Sequence, residues 1–262
     1  MLGILAERWQ PFLALAGLFL FWAWESVGPF FTASPLRWRH ATRNLMIAGL
    51  NGLVLAAVFS GLMVTIATLA ETRGWGIVRG LRLSPTPQAV LAFLLLDCWT
   101  YWWHRFNHGV PLLWRFHRMH HSDPAVDVTT ATRFHLGEIV FSSLLRLGLI
   151  PLIGIPVWLL IAYDMMLLAG TQFHHANIGL PSSLDRFLRY FVVSPFMHKV
   201  HHSRVRVETD SNFSSLLSVW DRLFASYREK EDYREIRFGL EDYDKDARQS
   251  VKGLILTPLY RS

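Results

Sequence analysis

The chain has 262 residues, of which 52% are hydrophobic, 14% aromatic and only 18% charged, and its formal net charge is +6. A soluble domain of this length usually carries about 25% charged residues, so the composition indicates a membrane protein. The single cysteine excludes a disulfide framework within the chain and a multi-cysteine zinc or iron–sulfur site. No nucleic-acid-binding motif accompanies the basic charge, which is typical of cytoplasmic loops in membrane proteins.

Four stretches approach the roughly 20 apolar residues that a membrane-spanning helix needs. In chain order they cover about 9–31, 45–70, 88–103 and 139–171. No small-residue cleavage site follows the first stretch, so it is interpreted as a membrane helix and not as a signal peptide. The fourth stretch is long enough for two segments that turn near PLIGIP (151–156), and a re-entrant or tilted hairpin is expected there.

The orientation of these segments follows from the loop between the first two. Arg37, Arg39 and Arg43 lie in this loop, and the positive-inside rule places it in the cytoplasm. The residues after the third segment then emerge on the cytoplasmic side, although three arginines in the opposite loop argue against this orientation. The sequence predicts one all-α domain over residues 1–262: an integral, multi-pass membrane bundle of about four segments with a cytoplasmic, histidine-rich helical cap.

Eleven of the twelve histidines lie between 104 and 202, beyond the third apolar segment. The pattern H-x-x-H-H occurs twice, and residues three and four apart share one face of a helix. Two imidazoles from one helix can therefore reach a common ion while the third reaches a neighbour. Imidazole suits zinc, iron, copper and nickel. Eight helix-spaced histidines exceed the four ligands of one tetrahedral zinc, so a two-metal site is predicted: His104, His108, His117, His120, His121, His198, His201 and His202.

Asp97 is an ionisable residue inside the third apolar segment, and such a residue is a candidate for a functional role. It falls on one helical face with Tyr101, His104 and His108. One interpretation is that its carboxylate orients a metal-binding histidine. The other is that it bonds a neighbouring hydroxyl group or arginine.

The histidine groups and the segments around them resemble the fatty acid hydroxylase superfamily, also called the sterol desaturase family. The matching segments appear in the family's order over about residues 97–227, half the chain: HRFNH (104–108), LWRFHRMHHS (113–122), TATRFHLGE (130–138), FHHANIGLP (173–181), SPFMHKVHHS (194–203) and NFSSLLSVWDRLFASY (212–227). The resemblance implies integral membrane enzymes with a histidine-bound di-iron centre. Such enzymes use O2 and two electrons to hydroxylate or desaturate a lipid C–H bond.

The resemblance also implies roles for single residues. The eight histidines above are carried over as metal ligands, and His135 and His175 match further family histidines, as ligands or close neighbours. His174 has no clear counterpart. The family usually has proline where this chain has Leu136, so a local backbone change is expected there. Four polar residues in or beside the matched segments are candidates for supporting the ligands, with cap or turn roles as the alternative: Asp97, Glu138, Asn177 and Asp221.

Electrons for such chemistry are expected from a separate ferredoxin or cytochrome with its reductase. The 262 residues contain no G-x-G-x-x-G fingerprint, no cysteine cluster and no haem-binding cytochrome domain. Iron is the expected metal, and zinc or another divalent ion can replace it during purification, since imidazole sites accept both.

Other classes of protein fit the pattern less well. A zinc metalloprotease would need H-E-x-x-H, and no histidine here precedes a glutamate. A haem carrier would hold its histidines within the apolar segments. The main alternative is a non-catalytic membrane metal-binding or transport protein. The identity of the lipid, and hydroxylation against desaturation, stay open.

Overall fold

The computed structural model describes residues 2–260, with side chains from residue 11 onwards. These residues form helices joined by irregular segments, with three isolated bridges and no strand among them, so the all-α prediction is confirmed. The first part of the chain contains eight α-helices: α1 (Leu2–Val27), α2 (Arg37–Val54), α3 (Ser60–Arg73), α4 (Ile77–Gly80), α5 (Pro85–Gly109), α6 (Pro111–His121), α7 (Leu136–Ile153) and α8 (Val157–His175).

The second part is built from shorter helices. They are α9 (Ser182–Leu188), α10 (Pro195–His201), α11 (Arg206–Thr209), α12 (Val219–Leu223), α13 (Asp246–Gln249) and α14 (Val251–Ile255). Short 3-10 turns lie at Val128–Thr132, Tyr233–Glu235, Glu241–Tyr243 and Thr257–Leu259.

Local sequence sets many of the helix boundaries. Pro85, Pro111 and Pro195 each occupy the first position of their helix, where the missing N–H costs nothing. A π-helical turn at Leu55–Phe59 joins α2 to α3. Gly154 ends α7 with a left-handed conformation, and α8 begins at Val157. The fourth apolar stretch therefore consists of two helices that are separated within PLIGIP (151–156), and the re-entrant or tilted hairpin stays a prediction.

Two helical stretches are long and apolar enough to cross a membrane, Arg37–Gly80 and Leu136–Ile153, while Pro11–Val27 in α1 is apolar but shorter. Apolar side chains on these helices point outward: Leu53 is 71% exposed and Phe19 is 75% exposed. Four membrane segments stay a prediction.

The apolar half of the molecule has its own buried core. α3, α5, α7 and α8 pack around side chains that include Ala67, Leu96, Ile150 and Tyr163. α5 and α8 run from this core to the polar half of the molecule. Their last turns carry histidines, so the packing of the apolar core positions the polar site.

Candidate metal centre

Four helices bring histidines together at the boundary between the apolar and polar halves. α5 contributes His104 and His108 from its last two turns, and the end of α8 contributes His175. The two H-x-x-H-H segments are α6 and α10 with the residue that follows it. Two clusters result, each with ligand atoms within 4.8 Å of one another. One contains His104, His108, His117, His121 and His201, and the other contains His120, His175, His198 and His202.

Each H-x-x-H-H segment serves both clusters. His117 and His121, four residues apart, share the five-histidine cluster, while His120 between them joins the four-histidine cluster. In α10 the assignment is reversed, because His198 and His202 share the smaller cluster and His201 joins the larger one. The spacing of each motif therefore directs adjacent imidazoles to two neighbouring sites.

Hydrogen bonds to backbone carbonyls orient two rings of the five-histidine cluster. His104 Nδ1 donates to the carbonyl oxygen of Phe213, and His201 Nδ1 donates to that of Ser211, each at 2.7 Å. Because a carbonyl oxygen can only accept, Nδ1 carries the hydrogen and Nε2 of the neutral ring keeps its lone pair. Both Nε2 atoms are buried and have no hydrogen-bond partner within the described part of the chain.

Carboxylates orient two further rings of the same cluster. His117 Nδ1 lies 2.9 Å from Glu138 Oε1, and His108 Nδ1 lies 3.3 Å from Asp210 Oδ1. Their Nε2 atoms are again buried without a partner among residues 11–260, as are both ring nitrogens of His121. Buried polar atoms normally have partners. Converging lone pairs with no proton donor fit a bound cation.

The four-histidine cluster converges on Nε2 of His175. Its Nδ1 donates to the carbonyl oxygen of Thr171 at 2.7 Å, which leaves the lone pair on Nε2. This Nε2 lies 3.0–3.1 Å from the Nε2 atoms of His120, His198 and His202. Nitrogens bound to one tetrahedral zinc-sized ion at 2.0–2.1 Å would lie roughly 3.3 Å apart. The spacing therefore fits one ion held by four imidazoles.

The histidines of both clusters are shielded from solvent. Burial, followed by the repulsion of neighbouring imidazoles, lowers the pKa of six rings well below the usual value: His104, His108, His120, His121, His198 and His202. Burial also lowers the pKa of His201 to about 3 and that of His175 to about 4. Neutral imidazole is the form that binds metals.

The structure does not bring His135, a predicted ligand, to either cluster. Its Nδ1 accepts from the backbone N–H of Gly137 at 2.9 Å, which caps α7, and its Nε2 donates to the carbonyl oxygen of Ile255 at 2.9 Å. Leu136 is the first residue of α7. Leucine and proline are both tolerated at that position, so the departure from the family pattern needs no change in the helix. His174 is buried against His198, with ring centroids 3.9 Å apart.

The four polar candidates have different roles. Glu138 contacts a predicted ligand, His117, and also accepts from Asn107 Nδ2 at 3.4 Å. Asp97 contacts no histidine among the described residues. Its carboxylate accepts from the Tyr163 hydroxyl at 3.0 Å and from Trp220 Nε1 at 2.7 Å. Of the two interpretations of Asp97, the hydroxyl partner is the one present.

Asn177 and Asp221 hold backbone segments. The side-chain amide of Asn177 bonds both backbone groups of Phe31 at 2.8–2.9 Å. Asp221 accepts from the backbone N–H groups of Phe213 at 2.7 Å and Ser214 at 3.0 Å. Because the Phe213 carbonyl orients His104, Asp221 supports the centre through one intervening residue.

Sequence reasoning missed several groups that orient the histidines. The carbonyls of Thr171, Ser211 and Phe213 have no signature in a sequence, and Asp210 lies outside the recognised segments. A further missed residue is Arg133, which is 1% exposed and donates to the carbonyl oxygen of Met119 in the last turn of α6. A cation there complements the carboxyl end of the helix that carries three of the histidines.

The fold is all-helical, with two adjacent, buried all-imidazole clusters at the end of an apolar bundle, and each cluster could hold a metal ion. Comparison with known proteins makes the class specific: the fatty acid hydroxylase family model matches residues 89–226, just over half of the chain. The chain belongs to the fatty acid hydroxylase family. No solved structure matches it significantly.

Several curated relatives resemble the chain. It is 31% identical to an alkylglycerol monooxygenase of Danio rerio over 150 residues, which cover 57% of the chain and 32% of the relative. It is 30% identical to the ornithine lipid hydroxylase OlsE of Rhizobium tropici over 143 residues, which cover 53% of the chain and 41% of the relative. It is 25% identical to methylsterol monooxygenase 1-2 of Arabidopsis thaliana over 169 residues, which cover 63% of the chain and 55% of the relative. The matches span about a third to a half of these relatives.

Proposed function

We propose that the protein is a membrane-bound di-iron oxygenase that uses O2 and two electrons to hydroxylate, or desaturate, a C–H bond of a lipid or sterol-like substrate. One observation carries this proposal: two adjacent clusters of five and four buried imidazoles, with the ligand atoms of each cluster within 4.8 Å of one another. The relatives support it, since their names describe monooxygenases and hydroxylases whose named targets include an alkylglycerol, an ornithine lipid and a methylsterol.

The clusters would hold two metal ions, and iron so bound supplies the one-electron O2 chemistry that unactivated C–H bonds need. The protein's own groups orient the ligands. Carbonyls of Phe213, Ser211 and Thr171 fix three rings in the tautomer that leaves Nε2 free. Glu138 lies 2.9 Å from Nδ1 of His117 and would orient that ring in the same way. Burial excludes water, which would compete with the substrate.

The proposal places the site at the cytoplasmic end of a multi-pass membrane bundle. Arg39 and Arg43 lie in the first two turns of α2, in the arginine-rich segment that the positive-inside rule assigns to the cytoplasm, and each lies 2.9 Å from Asp246. His40 from the same segment lies 2.8 Å from Asp123, two residues after His121. These contacts support a common side of the membrane for the start of α2 and the metal centre.

A separate ferredoxin or cytochrome with its reductase would deliver the electrons. The exposed arginines of this face, Arg39 among them, would steer an acidic donor toward the centre. Purified protein supplied with NADH alone should not turn over, and addition of a carrier with its reductase should start turnover. Activity without a carrier would overturn this part of the proposal.

Metal analysis with absorption spectra tests the centre. Two irons per chain with no haem absorption band support the oxygenase. A single zinc, or a haem band, contradicts it. A protein that holds two metals but oxidises no lipid would be the non-catalytic metal-binding or transport protein of the alternative hypothesis.

Lipid analysis tests the reaction. Lipid extracts of cells that express the chain should contain a species with one added oxygen atom, or with two fewer hydrogens, by mass spectrometry. His120→Ala should abolish this species, whereas Lys245→Ala, at an exposed position, should not. Identical lipid profiles with and without the chain would contradict the proposed reaction.

A further inference from the structure

Exposed apolar side chains form a surface on the second, shorter-helix half of the molecule. We define the α9–α12 surface by Leu184 (44% exposed), Phe187 (60%), Tyr190 (62%), Phe191 (60%), Val219 (44%) and Leu223 (64%). Such a concentration of exposed apolar residues marks an interaction site. It occurs after residue 180, where the sequence becomes polar overall.

Backbone pairing brings the two parts of this surface together. Ser218 N–H donates to the carbonyl oxygen of Phe191 at 3.2 Å, and Val192 and Leu217 form an isolated antiparallel bridge. The rings of Phe187 and Phe191 lie 5.4 Å apart. The end of α9 and the start of α12 therefore present one continuous apolar face.

Contacts with α5 place this face on the apolar side of the metal centre. The backbone N–H of Leu217 and Nε1 of Trp220 both donate to Asp97 Oδ2, at 3.2 and 2.7 Å. Asp97 precedes His104 by seven residues on α5, which is about 10 Å along a helix toward its apolar end. The 217–220 segment therefore lies closer than the histidines to the apolar end of α5.

Contacts with the buried core also place the segment before α12 on the apolar side of the metal centre. Leu216 packs against the apolar core that α3, α5, α7 and α8 share. A Cβ built on Gly170 of α8 would lie 3.2 Å from Leu216 Cδ1, and Gly170 also precedes the histidines at the end of its helix. The segment before α12 is therefore continuous with the apolar bundle.

The polar rim of the surface has the chemistry of a membrane interface. Arg222 lies 4.1 Å from the ring centroid of Tyr227 and 5.4 Å from that of Tyr190. Arg186 is exposed beside Phe187. Tyrosines at the interface and arginines that extend toward lipid headgroups are typical of protein segments that lie at the bilayer surface.

We propose that the α9–α12 surface is inserted into the interfacial layer of the bilayer, on the side that carries the metal centre. This inference rests on the proposed function in one respect, namely that the chain is a membrane protein. It adds a membrane contact from the half of the chain that lacks long apolar stretches. The partner is the lipid bilayer itself, because the segment that leads into α12 packs on the apolar core and on Asp97, about 10 Å from His104 toward the apolar end of α5.

Nitroxide labels on single cysteines test this contact. Cys98, half-buried in α5, is first replaced by alanine, and labels are then placed through Phe191→Cys and Leu223→Cys. Leu53→Cys on α2 (71% exposed) is the lipid-facing control, and Lys245→Cys at an exposed loop position is the water-facing control. The full chain is reconstituted in vesicles of phosphatidylcholine and phosphatidylglycerol.

The measurement compares collision rates of each label with oxygen, which concentrates in lipid, and with a water-soluble nickel chelate. We expect the oxygen-to-nickel ratio at residues 191 and 223 to resemble that at residue 53. A ratio resembling that at residue 245, with residue 53 still lipid-exposed, would overturn the α9–α12 proposal alone and favour a protein partner. A water-exposed residue 53 would instead contradict the membrane assignment, so the two failures are distinguishable.

Discussion

Glu138 Oε1 lies 2.9 Å from Nδ1 of His117, and this contact joins the start of α7 to the middle of α6 at the larger histidine cluster. Glu138 is 5% exposed, and its second carboxylate oxygen has no partner among the described residues. A buried carboxylate beside a metal-binding histidine raises the basicity of the ring and fixes its tautomer.

Glu138→Gln should therefore weaken metal binding by about 10–100-fold, the usual effect of losing such a partner. Competition with a chelator, followed by metal analysis, measures the change. Glu241→Gln, at an exposed position, is the matched control and should leave the affinity unchanged. An unaltered affinity in Glu138→Gln would show that the carboxylate does not act through His117.

Substitution by alanine should have different effects on the metal content at His120 and at His135. His120→Ala removes one of four imidazoles from the smaller cluster, so we expect the chain to lose one metal ion. His135→Ala should keep both ions but lose the N-cap of α7, at a cost of about 1 kcal/mol in unfolding free energy. Metal content per chain and thermal unfolding in detergent give the comparison. A lost ion in His135→Ala would restore His135 as a ligand.

Asp97→Ala should destabilise the fold without changing the metal content. The substitution leaves the donors of Leu217 and Trp220 without their acceptor, whereas the Tyr163 hydroxyl keeps a second acceptor in Thr100 Oγ1 at 2.8 Å. Each unsatisfied donor costs about 1–3 kcal/mol, so a clear fall in the thermal unfolding midpoint is expected. Asp97→Asn keeps an acceptor oxygen and should recover part of the loss. A variant that folds normally but lacks metal would instead support direct action on a histidine.

Gly76→Ala should destabilise the apolar half of the molecule. Gly76 has φ +114°, and a Cβ there would lie 2.2 Å from the Cα of Gly154 at the turn after α7. Both backbones would have to move apart. Gly80→Ala, four residues later, meets open space and serves as the control. Equal unfolding midpoints for the two variants would show that this close approach does not matter for stability.

The metal-free protein should lose stability as the pH falls. Burial lowers the pKa of His175 to about 4 and that of His201 to about 3, whereas an unfolded histidine has a pKa near 6.5. Below about pH 6.5 the unfolded chain takes up protons that the folded chain does not, so the free energy of unfolding falls from pH 6.5 toward pH 4. His175 alone would contribute about 3 kcal/mol.

Thermal unfolding of chelator-treated protein between pH 7.5 and pH 4.5 checks this prediction. Metal-loaded protein is the comparison and should be more stable over this pH range, because the metal binds the folded chain in preference to the unfolded one. A flat profile for the metal-free chain would mean that its histidines are already solvated or protonated in the folded state.

The sequence by itself determined the helical class and indicated most of the histidines that the two clusters contain. Helical periodicity is a local property, so the H-x-x-H-H spacing could indicate two imidazoles for one ion and a third for its neighbour. The break between α7 and α8 was predictable for the same reason, since proline and glycine act on the adjacent backbone.

Only the tertiary structure decided which histidines share a cluster and which groups orient their rings. Asp97 and His135 each occupy positions that fit a role at the metal, yet long-range contacts assign them to Trp220 and to the carbonyl of Ile255. The carbonyls of Ser211 and Phe213 orient rings on α10 and α5. A backbone carbonyl is the same in every residue, so the packing of helices distant in sequence, and no local pattern, selects the ones that act.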